Sequence, residues 1–183
     1  MTFSVSQFLA GKHVGWVDLP EIELSHLLTK EADHRPAQEV LQILQSQSVL
    51  GYGGENELTR LLLPNEEQTI MPVECGAKIT AYGMVEGKLH VQVYYEDILN
   101  RDDHGDIQLV DAQGVRHVCE TTADFWDKDH IGRYEEYEFD MSPDELAGCK
   151  VIGYFSTGAK LYKGNWKISF PIENMEDESP WLS

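Results

Sequence analysis

The chain has 183 residues, 42% of them hydrophobic and 10% aromatic, which is enough to bury the core of one domain and too much for a disordered chain. Fourteen Lys and Arg against 32 Asp and Glu leave a net charge of −18, which argues against partners with phosphate backbones or anionic lipid surfaces. No run approaches the roughly 20 apolar residues that cross a bilayer, and residues 1–30 lack the basic start and apolar stretch of a secretory signal.

The pattern changes near residue 55. Before it the reading is helical. Pro20 opens one run, with Asp18 as cap and Leu24, Leu27 and Leu28 at helical spacing. Pro36 opens a second run, PAQEVLQILQSQ, whose Val40, Leu41, Ile43 and Leu44 form an apolar stripe. Gly51, Gly53 and Gly54 then break the chain.

From residue 56 the period becomes two. Leu58 to Leu63 and Gln68 to Met71 read as short strands on either side of Pro64-Asn65. Ala77 to Val85, the turn Glu86-Gly87, and Leu89 to Tyr95 read as a hairpin with one apolar and one mixed face. Ile107 to Val110, the turn Asp111 to Gly114, and Val115 to Glu120 read as a second hairpin. Tyr134, Tyr137, Phe139 and Met141 mark another strand, and Ser142 to Leu146 a capped helical turn. Val151 to Ser156 and Trp166 to Ile172 read as the last two strands, joined by a turn region from Gly158 to Gly164.

Turn signals about every 8 to 12 residues, with no alternation of strand and helix, predict a mainly β chain. The expected fold is an antiparallel, immunoglobulin-like β-sandwich with a short N-terminal helical segment, α+β overall. The expected organisation is a helical segment over 1–55 packed on the sandwich, the β-sandwich over 56–173, and an acidic tail over 174–183.

The most suggestive stretch for chemistry is NRDDHGDIQLVD, residues 100–111. Laid on a twelve-residue calcium loop, it puts Asn100, Asp102 and His104 at positions one, three and five, Gly105 at the turn, and Asp111 last. Asn at the first position, His at the fifth and Asp at the last are weak choices. The same residues read more readily as a solvated acidic hairpin loop, so no cofactor is expected, with calcium as the alternative at this loop. His117 and Cys119, two residues apart, could join His90 at a transition metal, but the spacing is not diagnostic. Glu135, Glu136, Glu138 and Asp140 offer carboxylate pairs for hydrolytic chemistry, in a chain where acids are abundant enough to pair by chance. Trp126, among Asp124, Asp127, Lys128 and Asp129, is the candidate ligand-binding aromatic of an exposed loop. Cys75, Cys119 and Cys149 are too widely spaced for a disulfide framework or zinc pairs and read as small buried hydrophobes, with one disulfide left open. No nucleophile elbow, P-loop or dinucleotide fingerprint occurs.

Four stretches, GKLHVQVYYEDILNRDDHG, DAQG, YEEYEFDMSPDEL and GYFSTGAKLYKGNWKISFPIE, carry a resemblance. Over about residues 72–173 the chain resembles the C-terminal domain of bacterial transmembrane anti-sigma-factor-like proteins, a domain of unknown function. The resemblance implies a β-rich extracytoplasmic module tethered by an upstream membrane helix that this chain lacks; a free-standing relative would be cytoplasmic. It transfers no functional residue. The expected role is a non-enzymatic sensor or interaction module for a protein, peptide or glycan ligand, with loops 97–106, 121–133 and 157–164 as the recognising surface. The alternative is a carbohydrate- or calcium-dependent adhesion module, resting on residues 100–111 and Trp126. A carboxylate hydrolase is the third reading.

Overall fold

The computed structural model describes residues 2–27, 31–46, 60–71, 77–96 and 104–169. In chain order the elements are β1 (Thr2–Asp18), α1 (Leu24–Leu27), β2 (His34–Arg35), α2 (Ala37–Ser46) and β3 (Leu61–Leu62). After a 3-10 turn at Glu66–Gln68 come β4 (Ala77–Val85), β5 (Lys88–Tyr95), β6 (His104–Val110), β7 (Arg116–Val118) and β8 (Thr121–Trp126). The last elements are β9 (Arg133–Phe139), α3 (Pro143–Leu146) and β10 (Lys150–Ser169). Two four-stranded antiparallel sheets form, in the orders β1-β10-β6-β7 and β4-β5-β9-β8, with β2 and β3 as a separate short pair.

Alternation along the strands builds the core between the two sheets. Leu89, Val91, Val93 and Tyr95 of β5, with Tyr137 and Phe139 of β9, meet Ile107 and Leu109 of β6 and Val151 and Phe155 of β10 in one buried cluster. Leu19, Ile22, Leu24 and Leu146 from the connections join the same cluster. The outer face of the β4-β5-β9-β8 sheet is covered too. Val40 of α2 and Leu61 of β3 pack on Ala123 and Phe125 of β8, and Leu62 packs on Ala81 and Val85 of β4. The expected mainly antiparallel β architecture is therefore present.

Local chemistry explains the turns. Glu86 and Gly87 join β4 to β5 with φ of 51° and 85°, the two left-handed residues of a turn whose twist matches a hairpin. Asp111 Oδ1 accepts from the backbone N–H of Gln113 and of Val115, at 2.9 and 2.8 Å, and shapes the β6–β7 turn. Ser142 and Glu145 form a reciprocal capping box on α3, with Pro143 in the first turn.

Three expectations are corrected. Residues 1–55 do not form a wholly helical segment: residues 2–18 form β1, and among the described residues helix is confined to α1, only four residues long, and α2. The partner of β1 is β10, some 150 residues onward, so no local pattern announces the pairing. Next, the predicted turn at 158–164 is strand. β10 runs unbroken from Lys150 to Ser169, and its pairing with β1 skips register between Val5 and Gln7, Ala10 and Lys12, and His13 and Trp16. Gly164, Gly158 and Gly15 fall in those three irregularities, where glycine marks a bulge and not a chain reversal. Third, residues 121–126 of the predicted recognising loop 121–133 are β8, paired to β9 along its length. In the Gln68–Met71 stretch only Ile70 bridges, to Ile79. The acidic tail over 174–183 and the loop residues 97–103 lie outside the described residues.

Candidate functional site

The calcium-loop arrangement is not what the structure shows. Asn100 and Asp102 lie outside the described residues, but His104 to Val110 is β6, bonded to β10 along its length. An extended strand of this length holds His104 and Asp111 about 20 Å apart, far beyond the 2.3–2.6 Å ligand shell of one calcium ion. Asp111 is instead committed to its own turn and to His117 Nε2, 3.1 Å away, and these partners hold its carboxyl below the usual range. Among the described residues no three His, Cys, Asp or Glu side chains converge on a common point. The imagined set of His90, His117 and Cys119 is divided: His90 lies on β5 of one sheet and His117 on β7 of the other. Cys119 and Cys149 are free thiols, and burial pushes Cys119 up to about 11.

Trp126 closes β8, half-buried, and stacks near His130 at 6.4 Å between ring centroids. The more exposed tryptophan is Trp16, at 39%, on β1. It packs against Tyr154 and carries the Arg116 guanidinium 4.5 Å over its ring. Sequence reading missed it because it read the first 55 residues as helical.

Two polar clusters flank the core. The first lies on the outer face of the β4-β5-β9-β8 sheet. Glu136, fully buried, accepts from the Leu62 backbone N–H, from Gln92 Nε2 at 3.0 Å and from His90 Nδ1 at 2.7 Å. Gln92 in turn donates to the Leu62 carbonyl and accepts from Thr80 Oγ1. His90 Nε2 lies 3.4 Å from Glu138, which also binds Lys88 Nζ at 2.7 Å. Burial alone would lower the His90 pKa, but the bonds to Glu136 and Glu138 outweigh it and raise it; the same contact with His90, helped by Lys88, lowers Glu138. This network clips β3 to the sheet and sets the Lys88 ammonium against Glu138.

The second cluster sits at one end of the inter-sheet space, where β5, β8 and β9 end near the start of β6. Asp124 and Glu135 are cross-strand neighbours, and Arg133 lies between their carboxylates, Nε 3.6 Å from Asp124 and Nη2 3.8 Å from Glu135. The guanidinium also stands 5.5 Å from the centre of the Tyr95 ring. Tyr137 Oη donates to the Gly105 carbonyl of β6 at 3.3 Å, a hydrogen bond from one sheet to the other. Gly105 is obligatory, since a Cβ there would sit 2.7 Å from Tyr95 Oη. Of the five buried side-chain atoms without a hydrogen-bond partner among the described residues, four are here: Tyr95 Oη, Asp124 Oδ1, Arg133 Nε and Glu135 Oε2. Burial, with the neighbouring Asp124 charge, pushes Glu135 up to about 7 against the pull of Tyr137 and Arg133. This carboxyl can exchange a proton near neutrality. Glu135 and Glu136, adjacent in sequence, thus serve opposite faces of one sheet and do not form a carboxylate pair.

Two surface features remain. A groove of about 440 Å³ runs beside the cover, lined by Leu27, Glu31, Asp33, Leu62, Asn65 and Tyr82 among others. The other is a ribbon. β6 pairs β10 only from Lys150 to Ser156, whereas β1 continues with β10 to Ser169. Residues 2–12 and 157–169 therefore extend past the sheet as two strands, with no third strand paired to them among the described residues. Lys163 and Lys167 are exposed there, and Val5 and Trp166 are cross-strand partners, both half-buried. The expected recognising loop 157–164 thus belongs to this ribbon.

No protein-family model, curated protein or solved structure matches the chain. No helix among the described residues is long and apolar enough to cross a membrane.

Proposed function

We propose that this chain is a non-enzymatic interaction module, the outer part of an anti-sigma-factor-like regulator, with an immunoglobulin-like body as scaffold. The observation that supports this reading is the ribbon of β1 and distal β10, which projects past the sheet that anchors it. Strands with unpaired edges recognise protein partners by backbone pairing, with side chains at alternate positions supplying selectivity. The partner is a protein or peptide, and its preference for one arrangement of the module is what would carry a signal to the rest of a regulator. The resemblance implies a module outside the membrane on an upstream anchor, and this location is part of the proposal.

The test is genetic. Replacing the chromosomal copy by Val5→Lys with Trp166→Lys, which breaks the cross-strand pair of the ribbon, is expected to change sigma-dependent transcription in the native cell. A folded variant that leaves this transcription unchanged rejects the reading.

A further inference from the structure

The outer edge of β1 differs from every other sheet edge described. β7 has three residues and β8 six, with Asp124 in the middle of β8. The β4 edge is occupied by backbone bonds from Ala32, Asn65 and Ile70. Short strands, charges and covering segments are the usual guards against edge-to-edge pairing. β1 is 17 residues long and, among the described residues, has none of these guards over its first ten residues: from Thr2 to Val17 its only formal charge is Lys12.

We infer that the β1 edge pairs with β1 of a second copy, antiparallel across a two-fold axis; this rests on the reading of the ribbon as the interaction element. Charge supports this occupant. A chain with 32 acidic and 14 basic residues repels its own copy over most of its surface, and among the described strands β1 is the long edge where two copies meet without opposed charges. Geometry selects β1 over β10 as the shared strand. The ribbon half of β10 carries Lys160, Lys163 and Lys167 and no acid, so pairing β10 to β10 would set lysine rows side by side. In the order β10-β1-β1-β10 those rows lie three strand spacings apart, about 14 Å, beyond the roughly 8 Å screening length at physiological salt. The pairing also converts a two-stranded ribbon, marginal by itself, into a four-stranded sheet, and the two-fold axis closes the assembly at two copies.

Sedimentation velocity on the full chain tests this. The expected species has twice the 20.8 kDa mass and dissociates on dilution. Ser4→Lys with Ser6→Lys, at two exposed positions of β1, should weaken the dimer at least tenfold, whereas Lys163→Ser with Lys167→Ser should not weaken it. Mixing isotopically labelled and unlabelled wild-type copies gives an independent reading: nuclear Overhauser contacts between copies are expected from β1 to β1. A monomer at every concentration, a dimer indifferent to the serine-to-lysine pair, or cross-copy contacts only elsewhere overturns the inference. A monomer whose ribbon variant still alters transcription would sink the second copy and leave the ribbon reading standing; a dimer with unaltered transcription would do the reverse.

Discussion

The two halves of the β1–β10 pair are made of the same backbone bonds and live under different conditions. Near the body, Val151 and Phe155 are buried, β6 adds a third strand, and the second sheet closes over the face. Beyond Ser156 no third strand is paired to these two among the described residues, and their described lysines are exposed. Pairing alone does not fix a strand; burial does. The body is therefore expected to be the more stable unit, and the ribbon the part that the proposed partner would order.

The largest expected contrast comes from the outer-face network. Glu136→Ala leaves His90, Gln92 and the Leu62 N–H without their shared acceptor, and should cost about 3–5 kcal/mol in denaturant unfolding. A loss under 1 kcal/mol would mean that the network is not closed.

Glu135 sharpens the contrast through pH. Its folded pKa of about 7 exceeds the usual 4.5, so the folded state binds more protons than the unfolded state between those values. Stability should therefore fall as pH rises from about 4.5 to 7, by roughly 2–3 kcal/mol from this group. His90 acts in the same direction: its raised pKa contributes stability present at low pH and lost as pH rises through the folded value. The difference between wild type and Glu135→Gln isolates the carboxyl. A variant with the wild-type pH profile would contradict its placement.

Tyr137→Phe removes the bond that crosses from sheet to sheet, for about 0.5–1.5 kcal/mol by thermal melting. The smallest effect belongs to the ribbon. Ser4→Lys with Ser6→Lys should move body stability by no more than about 0.5 kcal/mol, measured at a concentration where the chain is monomeric. A body destabilised as much as by Tyr137→Phe would show that ribbon and body are one cooperative unit.

What the sequence discloses follows from range. The β4–β5 hairpin, the Asp111–Gly114 turn, α2 after Pro36 and the Ser142 cap are all legible because their causes lie within a few residues. β1 is not, since its register is dictated from the far end of the chain. Gly158 and Gly164 look like a turn because glycine at a bulge and glycine at a reversal are the same letter. His90 and Gln92 read as a mixed strand face, yet they are buried, because α2 and β3 cover that face and Leu62 brings backbone partners to it. The acids of 100–111 suggest a calcium loop, but residues 104–110 are drawn into β6, which only the pairing with β10 reveals. The Asp124–Arg133–Glu135 cluster had one legible signal, charged residues at alternate positions of a strand that also carries Tyr137 and Phe139. Its other half, β8, was read as loop.

Amide hydrogen exchange on the full chain, followed from dilute to concentrated solution, tests the division most directly. Amides of β4, β5 and β9 should exchange at the same slow rate throughout, while those of residues 2–12 become protected only as concentration rises. Ribbon amides as slow as those of the body in dilute solution, or exchange there that ignores concentration, would contradict it.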